Sequence, residues 1–419
     1  MYIANFDSFL EDHFIDPNGV VYTSLHLDTL LPPTDEFFRR YEPEKKEIPS
    51  CSALQIPKSQ TTWGPDSFSM AEFWAYENCG MCTGAYLNAL CCAMRTPGYD
   101  TPDIRKRAKR TFDAQLYIFR LGNRWEYGFF PKIWGNRFSY QTSTDQMLYT
   151  IHSMHNYYPF ATREDRAEIA RLIPAMADFW MKRNYTLTYY NIKDMVWPPL
   201  RFPSFLMMAW KYSGEEKYRK EALRILEESK GHITEHLIEY RPEYPTEPLA
   251  LVHSGDAITM DTMNIEMMID YVPMPEPYRQ KLLAGLKKVW HQRKKTLCPD
   301  GFYWINMAYD LQTDTAVPKP VECPRSGWST MIVRAGLEIS RLIPEIFPEA
   351  KAAAELVLAK LKPEEMYYYH PDDAEQLKPD SRFKMQFLSG DAIANRQWSY
   401  YLLKELEAEK TGSGDTAAN

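Results

Sequence analysis

Residues 143–180 read STDQMLYTIHSMHNYYPFATREDRAEIARLIPAMADFW. Ser143 or Thr144 caps a first helix that runs through Leu148, Ile151, His152 and His155 and is apolar nearly all round. Thr162 caps a second helix. There Ile169, Leu172, Ile173, Met176, Phe179 and Trp180 recur at helical spacing opposite a charged face. A helix apolar all round is buried, whereas one with a charged face lies at the surface. The stretch is therefore an inner helix followed by an outer one.

The same pair recurs in both directions. Upstream, an apolar helix over Phe68–Met94 stops at Thr96-Pro97-Gly98. Thr101-Pro102 then opens an amphipathic partner through Ala108, Phe112 and Leu116. Downstream, a helix starts near Pro203 and carries Phe205 and Met208, and Ser213-Gly214-Glu215-Glu216 reads as the capping box of its partner. Asp256–Tyr271 is followed by Pro277–Arg293, and Gly327–Leu342 by Pro348–Leu361. A last inner helix runs from Asp391 to about Leu406. Six inner helices result, with five outer ones following directly and Thr34–Tyr41 as the candidate sixth. This layout predicts an all-α fold, an (α/α)6 toroid of helical hairpins. An irregular helical bundle or a solenoid of helix pairs is the alternative, and the long, aromatic-rich connections argue against a regular solenoid. Residues 1–65 read as an irregular N-terminal arm packed on the toroid, with a turn at Asp16-Pro17-Asn18-Gly19 and a short strand at Val20-Val21-Tyr22. Residues 66–406 form the toroid and 407–419 a flexible tail.

Composition narrows the function. Lys+Arg 49 against Asp+Glu 56 gives a net charge of −7, which argues against a nucleic-acid partner. No apolar run approaches the roughly 20 residues of a membrane span. Seven cysteines, an odd number in a chain of this size, suit a reducing compartment better than a disulfide scaffold. The opening MYIANFDSFLEDHF has neither a basic start nor an apolar core of a signal peptide, so a cytoplasmic location is expected. Aromatic residues make up 14% of the chain, more than a core alone requires, and suit a cleft lined by flat faces.

A short repeat marks the inner-helix starts. Ser254-Gly255-Asp256-Ala257-Ile258 recurs as Ser389-Gly390-Asp391-Ala392-Ile393. Ser143-Thr144-Asp145-Gln146 is a looser relative, and Ser326-Gly327-Trp328-Ser329 keeps the Ser-Gly. Taken singly, Asp145, Asp256 and Asp391 are each helix caps. In a toroid the inner N-termini surround one end of the axis, so their carboxylates converge. Carboxylates paired across a sugar-sized gap are the machinery of glycoside hydrolysis. Trp63, Trp134, Trp197, Trp304, Trp328 and Trp398 fall in connections or near inner-helix starts and are candidate sugar platforms. Lys132, Arg137, Arg201 and Arg325 share these connections. Either they hold an acidic sugar or they balance nearby Asp and Glu. His152, His155 and His253 lie near the proposed mouth, and His152, on an apolar helix, reads as a core histidine. Cys79-Gly80-Met81-Cys82 sits inside a helix with no second pair and reads as packing rather than a zinc or redox site, as does Cys91-Cys92. With no phosphate loop, dinucleotide fingerprint, H-E-x-x-H or calcium loop, neither cofactor nor metal is expected.

Several of these stretches resemble the six-hairpin glycosidase superfamily: Tyr76-Glu77-Asn78 with Thr83-Gly84-Ala85-Tyr86-Leu87, Gly128-Phe129-Phe130-Pro131-Lys132, and Ser143-Thr144-Asp145-Gln146. Arg325-Ser326-Gly327-Trp328 is similar to the arginine–glycine–tryptophan signature of unsaturated glucuronyl and rhamnogalacturonyl hydrolases, shortened by one residue. The layout also resembles bacterial β-glucuronidase relatives, over roughly residues 66–406. The resemblance implies Asp145 as acid/base, with Asp256 as its partner, and Tyr76, Glu77 and Arg325 as subsite residues. Trp134, Arg137, Gln146, His152, Arg201, His253, Trp328, Asp391 and Trp398 complete the expected sugar-binding set. The expected activity is hydrolytic removal of a terminal, uronic sugar from an oligosaccharide. A polysaccharide lyase, a sugar epimerase leaning on the histidines and a non-catalytic sugar-binding protein are the alternatives.

Overall fold

Helices buried along nearly their whole length alternate with helices buried on one stripe. The structure, a computed structural model, describes residues 2–41, 69–189, 192–196, 201–228, 249–252, 255–269, 273–303, 307–310, 313–318, 325–368 and 385–414. Its helices are α1 (Tyr2–Phe9, continued by a π-helical turn, Leu10–Phe14), α2 (Asp35–Tyr41), α3 (Met70–Tyr76), α4 (Cys79–Arg95), α5 (Pro102–Gly122), α6 (Thr144–Tyr157) and α7 (Arg163–Met181). They continue with α8 (Arg201–Ser213), α9 (Glu216–Glu228), α10 (Gly255–Ile269), α11 (Glu276–Arg293), α12 (Arg325–Leu342), α13 (Phe347–Lys360) and α14 (Gly390–Gly414). Every residue of α4 from Cys79 to Met94 is buried. In α5 burial follows a stripe through Ile104, Ala108, Phe112 and Phe119. These are the two patterns expected of an inner and an outer helix.

The inner helices close a ring. α4 packs on α6, α6 on α8, α8 on α10, α10 on α12, α12 on α14, and α14 returns to α4. Gly84 lets α4 and α6 meet, since a Cβ there would lie 2.7 Å from the Tyr149 carbonyl oxygen. α5 covers α4, α7 and α9 cover α8, α11 and α13 cover α12. This is the expected (α/α)6 toroid.

The sixth outer position is filled by residues 2–14, not by Thr34–Tyr41. Asp7 accepts hydrogen bonds from Gln397 and Tyr401 of α14. Glu11 accepts one from Tyr86 of α4 at 2.5 Å and pairs with Arg110 of α5 at 2.6 Å. Phe6, Leu10 and Phe14 are fully buried, at the i, i+4, i+8 spacing of one helix face. α2 instead packs on α3 and puts Phe37 and Phe38 against Phe387 and Trp74. The helix expected over Phe68–Met94 is broken at Glu77–Asn78. The chain around Thr23 inserts there: Thr23 N donates to Ala75 O and Asn78 N to Thr23 Oγ1, both at 2.8 Å. The last helix runs to Gly414, past Leu406.

Outer-to-inner connections carry small antiparallel sheets, whereas the inner-to-outer turn over 96–101 is short. β1 (Ser24–His26) pairs with β9 (Phe387–Ser389) just before α14. β2 (Ile133–Trp134) and β3 (Arg137–Phe138) precede α6, and β4 (Thr186–Tyr189) and β5 (Ile192–Val196) precede α8. β6 (Leu249–Val252), β7 (Met307–Asp310) and β8 (Thr315–Pro318) precede α10 and α12. The strand expected at Val20–Tyr22 is reduced to a bridge between Val21 and Ile15. The sheets therefore ring the end where the inner helices start. No helix of the described residues is long and apolar enough to cross a membrane.

Candidate active site

At two of the inner-helix starts the cap is a serine. Ser143 Oγ accepts from Asp145 N at 3.2 Å, and Ser389 Oγ accepts from Ala392 N at 3.2 Å. The aspartates beside them are thereby released from capping. Gly390 is required for a different reason. Its N–H donates to Thr23 O at 2.8 Å, and a Cβ there would fall 1.8 Å from Tyr22 O.

The two aspartates then meet different surroundings. Asp145 forms an ion pair with Arg201 of α8. Arg201 also donates to Thr144 Oγ1 and reaches Met260 Sδ at 3.1 Å, tying α6, α8 and α10 together. Asp391 accepts from the Cys82 thiol at 3.1 Å and from Asn78 Nδ2 at 3.4 Å. Burial pushes its carboxyl up to about 7 against these bonds, which lower it. Asp391, half-buried, lies on the wall of a small open pocket with Asn78, Trp328, Tyr367, Tyr368 and Ser389. A third carboxyl, Asp261 on α10, is also pushed up to about 7 by burial, opposed by the Arg201 charge. Sequence reasoning missed Asp261. Its signal is weak, since the same inner helix also carries Asp256 and Glu266.

The remaining mouth residues form a bonded frame. Glu77 pairs with Lys132 at 2.5 Å. Gln146 donates to Glu77 O at 2.6 Å and accepts from Gly80 N at 3.2 Å. Tyr76 donates to Asp16 at 3.3 Å, and burial with the Asp16 charge holds its phenol well above the usual range. Arg137 pairs with Glu72. Lys132, Arg137 and Arg201 thus follow the charge-balancing reading.

Other expected site residues lie in the core. Trp134 is buried and stacks on Phe73 at 5.5 Å. Trp398 is buried beneath the Arg334 guanidinium, 4.2 Å from its ring centre. His152, buried, binds Glu266 at 2.7 Å and Asn88 at 3.1 Å, and burial lowers its pKa. His155 binds Tyr212 at 2.8 Å and is pushed down to about 3 by burial. Trp63, Trp197, His253 and Trp304 lie outside the described residues, as do the side chains of Asp256 and Arg325, which open α10 and α12. Cys79, Cys82, Cys91, Cys92 and Cys298 are free and buried. Cys82 does more than pack, since it binds Asp391.

Further down the same helices His152, Glu266 and Glu338 bring ligand-type atoms within 4.8 Å of one another. Arg334 pairs with Glu338, and Arg341 reaches Glu266 at 3.6 Å and Glu405 at 3.0 Å. The carboxylates are thus engaged by guanidinium groups, and the cluster is an ion-pair network.

Solved structures match this fold along nearly the whole chain. An α-amylase from Clostridium perfringens superposes with a TM-score of 0.51 over 96% of this chain and 98% of its own, at 13% identity. Cellobiose 2-epimerase from Bacillus thermoamylovorans gives 0.50 over 97% and 98%, at 11% identity. An unsaturated glucuronyl hydrolase specific for heparin gives 0.48 over 79% and 86%, at 13%. No protein-family model matches the chain, and no curated protein matches it in sequence. At these identities the likeness is one of fold.

Proposed function

We propose that this chain is a glycoside hydrolase that removes a terminal, uronic sugar from an oligosaccharide. The observation that carries the reading is Asp391, a carboxyl pushed up to about 7 on the wall of an open cavity beside Trp328. In that state it is protonated near neutrality and gives its proton to the leaving glycosidic oxygen. Asp145, held against Arg201, is the ionised partner that acts as base or nucleophile. Asp256, in the same Ser-Gly-Asp setting at the start of α10, stands beside it in that role. Trp328, Tyr367 and Tyr368 offer apolar faces to the sugar ring. Recognition of the uronate falls to Arg325, which opens α12 three residues before Trp328.

A sugar epimerase is the second reading. Of the candidate acid–base histidines, His152 and His155 are engaged below the mouth, by Glu266 and Tyr212. Fold neighbours include a cellobiose 2-epimerase and an α-amylase, so the fold supports carbohydrate processing without choosing between epimerase and hydrolase.

The test is incubation with aryl glycosides and uronic oligosaccharides, with products read by mass and ultraviolet absorbance. Hydrolysis adds water across the cleaved bond. An isomer of unchanged mass would favour the epimerase, and an unsaturated, absorbing product the lyase.

A further inference from the structure

Among the described residues five large apolar side chains are exposed. Leu31 and Leu356 stand singly, but Trp125 (39%), Tyr127 (53%) and Tyr140 (39%) fall within one stretch of 16 residues. Trp125 and Tyr140 lie 4.8 Å apart between ring centres, tilted by 53°, so they form an open V. Their order is built in. Trp125 sets its edge on buried Phe129 at 4.6 Å and 88°. Arg183, 5.7 Å from the Trp125 ring and 3.9 Å from Phe179, is fixed by its ion pair with Glu126. Arg171 donates to the Tyr127 hydroxyl at 2.8 Å. Exposed aromatic rings already fixed by packing lose little entropy on binding, which distinguishes a recognition surface from stray apolar area.

This shelf is tied to the mouth through the chain and its hydrogen bonds. Tyr140 lies three residues before Ser143, the cap of α6. Its neighbour Gln141 accepts from Lys132 N at 2.6 Å. Lys132 pairs with Glu77 at 2.5 Å, and the next residue, Asn78, binds Asp391 at 3.4 Å. A bonded trail thus leads from the cavity to the rim.

We infer that Trp125 and Tyr140 form a distal subsite where a pyranose ring of the same glycan stacks, so that the substrate is a chain and not a lone glycoside. The C–H face of a pyranose is apolar and suits an aromatic face, while its hydroxyls stay in water. Glu126 is shared by Arg183 and Lys182, which hold its carboxyl down at about 2. That leaves a surplus of positive charge beside the V, in keeping with a chain that carries carboxylates. The inference rests on the hydrolase reading for the terminal sugar, and the two fail separately.

The test is native affinity electrophoresis of the full chain in gels cast with polygalacturonate or with a soluble cellulose derivative. Wild type should be retarded in at least one gel. The double variant Trp125→Ala/Tyr140→Ala should lose roughly tenfold in affinity, the scale of an aromatic anchor, while Trp125→Phe, which keeps a ring, should lose less. A far-UV melt checks that each variant is folded. Where wild type cuts both a chain and an aryl glycoside, the double variant's kcat/KM should fall more for the chain. Unretarded wild type, or equal retardation of wild type and double variant, overturns the inference. So does a lower native mass for the double variant, which would make the shelf an interface between copies. Retardation without hydrolysis would retain the shelf and remove the hydrolase reading. Hydrolysis without retardation would do the reverse.

Discussion

The mouth and the interior of the toroid hold the same kinds of groups to different ends. In the interior Glu338 is buried and its carboxyl is pushed well above the usual range, chiefly by desolvation, although Arg334 sits against it. At the mouth Asp391 is pushed up to about 7 for the same reason. Acidity alone does not separate them. Glu338 is closed in by the ion-pair network, whereas Asp391 faces open space beside Trp328, Tyr367 and Tyr368. A buried acid becomes a site only where a ligand can reach its proton.

The largest effect expected in the interior follows removal of a shared cation. Arg341 spans Glu266 and Glu405; in Arg341→Ala, Glu405 keeps Arg95 at 2.6 Å, whereas buried Glu266 is left with His152, whose burial disfavours its charged form. Denaturant unfolding should show a loss of about 3–5 kcal/mol. A loss below about 1 kcal/mol, the scale of a surface pair, would break the contrast by making the interior as tolerant as the rim.

Gly390→Ala comes next, because the added carbon meets Tyr22 O. It should cost about 1–3 kcal/mol and disturb the mouth, where Gly390 precedes Asp391. An unshifted melting temperature would show that the β1–β9 contact yields easily.

A pH-dependent effect sharpens the comparison. Folded Asp391 holds its proton to about pH 7, whereas an unfolded aspartate loses it at about pH 4. Between these values the folded state binds more protons, so this residue's contribution to stability falls as pH rises. Asp391→Asn has no such proton. Its melting temperature relative to wild type should climb from pH 4 to 7 and level off above. A flat difference would mean that the carboxyl titrates normally.

The smallest effect concerns Trp134, which packs on Phe73. Trp134→Phe should cost about 1.5 kcal/mol or less, with kcat for a cleaved glycoside little changed. A steep rise in KM would return this ring to the sugar.

How much of this was legible in the sequence depended on range. The inner–outer alternation is local and periodic, so five hairpins and the last inner helix could be placed from residues such as Ile169, Leu172 and Trp180. The start of the chain has the same signal at Phe6, Leu10 and Phe14, but it is short and was masked by polar neighbours. The break at Glu77–Asn78 was hidden because its cause, Thr23, lies more than fifty positions away. At the site, the Ser-Gly-Asp repeat points to Asp391, and the proposed acid role adds to its expected place in the sugar-binding set. Its raised pKa comes from burial, which outweighs the hydrogen bonds from Cys82 and Asn78, and neither the burial nor these partners is local in sequence. Trp134 and Trp398 are placed at the mouth by residue type, whereas His152 on its apolar helix reads as a core histidine and is one. Only packing separates a buried ring from one that faces a ligand.

The central claim is that Asp391 is the acid that protonates the leaving group. A leaving group that departs without a proton does not need this acid. The direct measurement is therefore kcat/KM against pH for wild type and Asp391→Asn, using one glycoside in two forms, with a phenol and with a dinitrophenol leaving group. Wild type should lose activity on the phenyl glycoside as pH rises through about 7. Asp391→Asn should lower that activity by roughly 10²–10⁴-fold, yet keep far more on the dinitrophenyl glycoside. Equal losses on both, or an Asn variant with more than about a tenth of wild-type activity on the phenyl glycoside, would contradict the account.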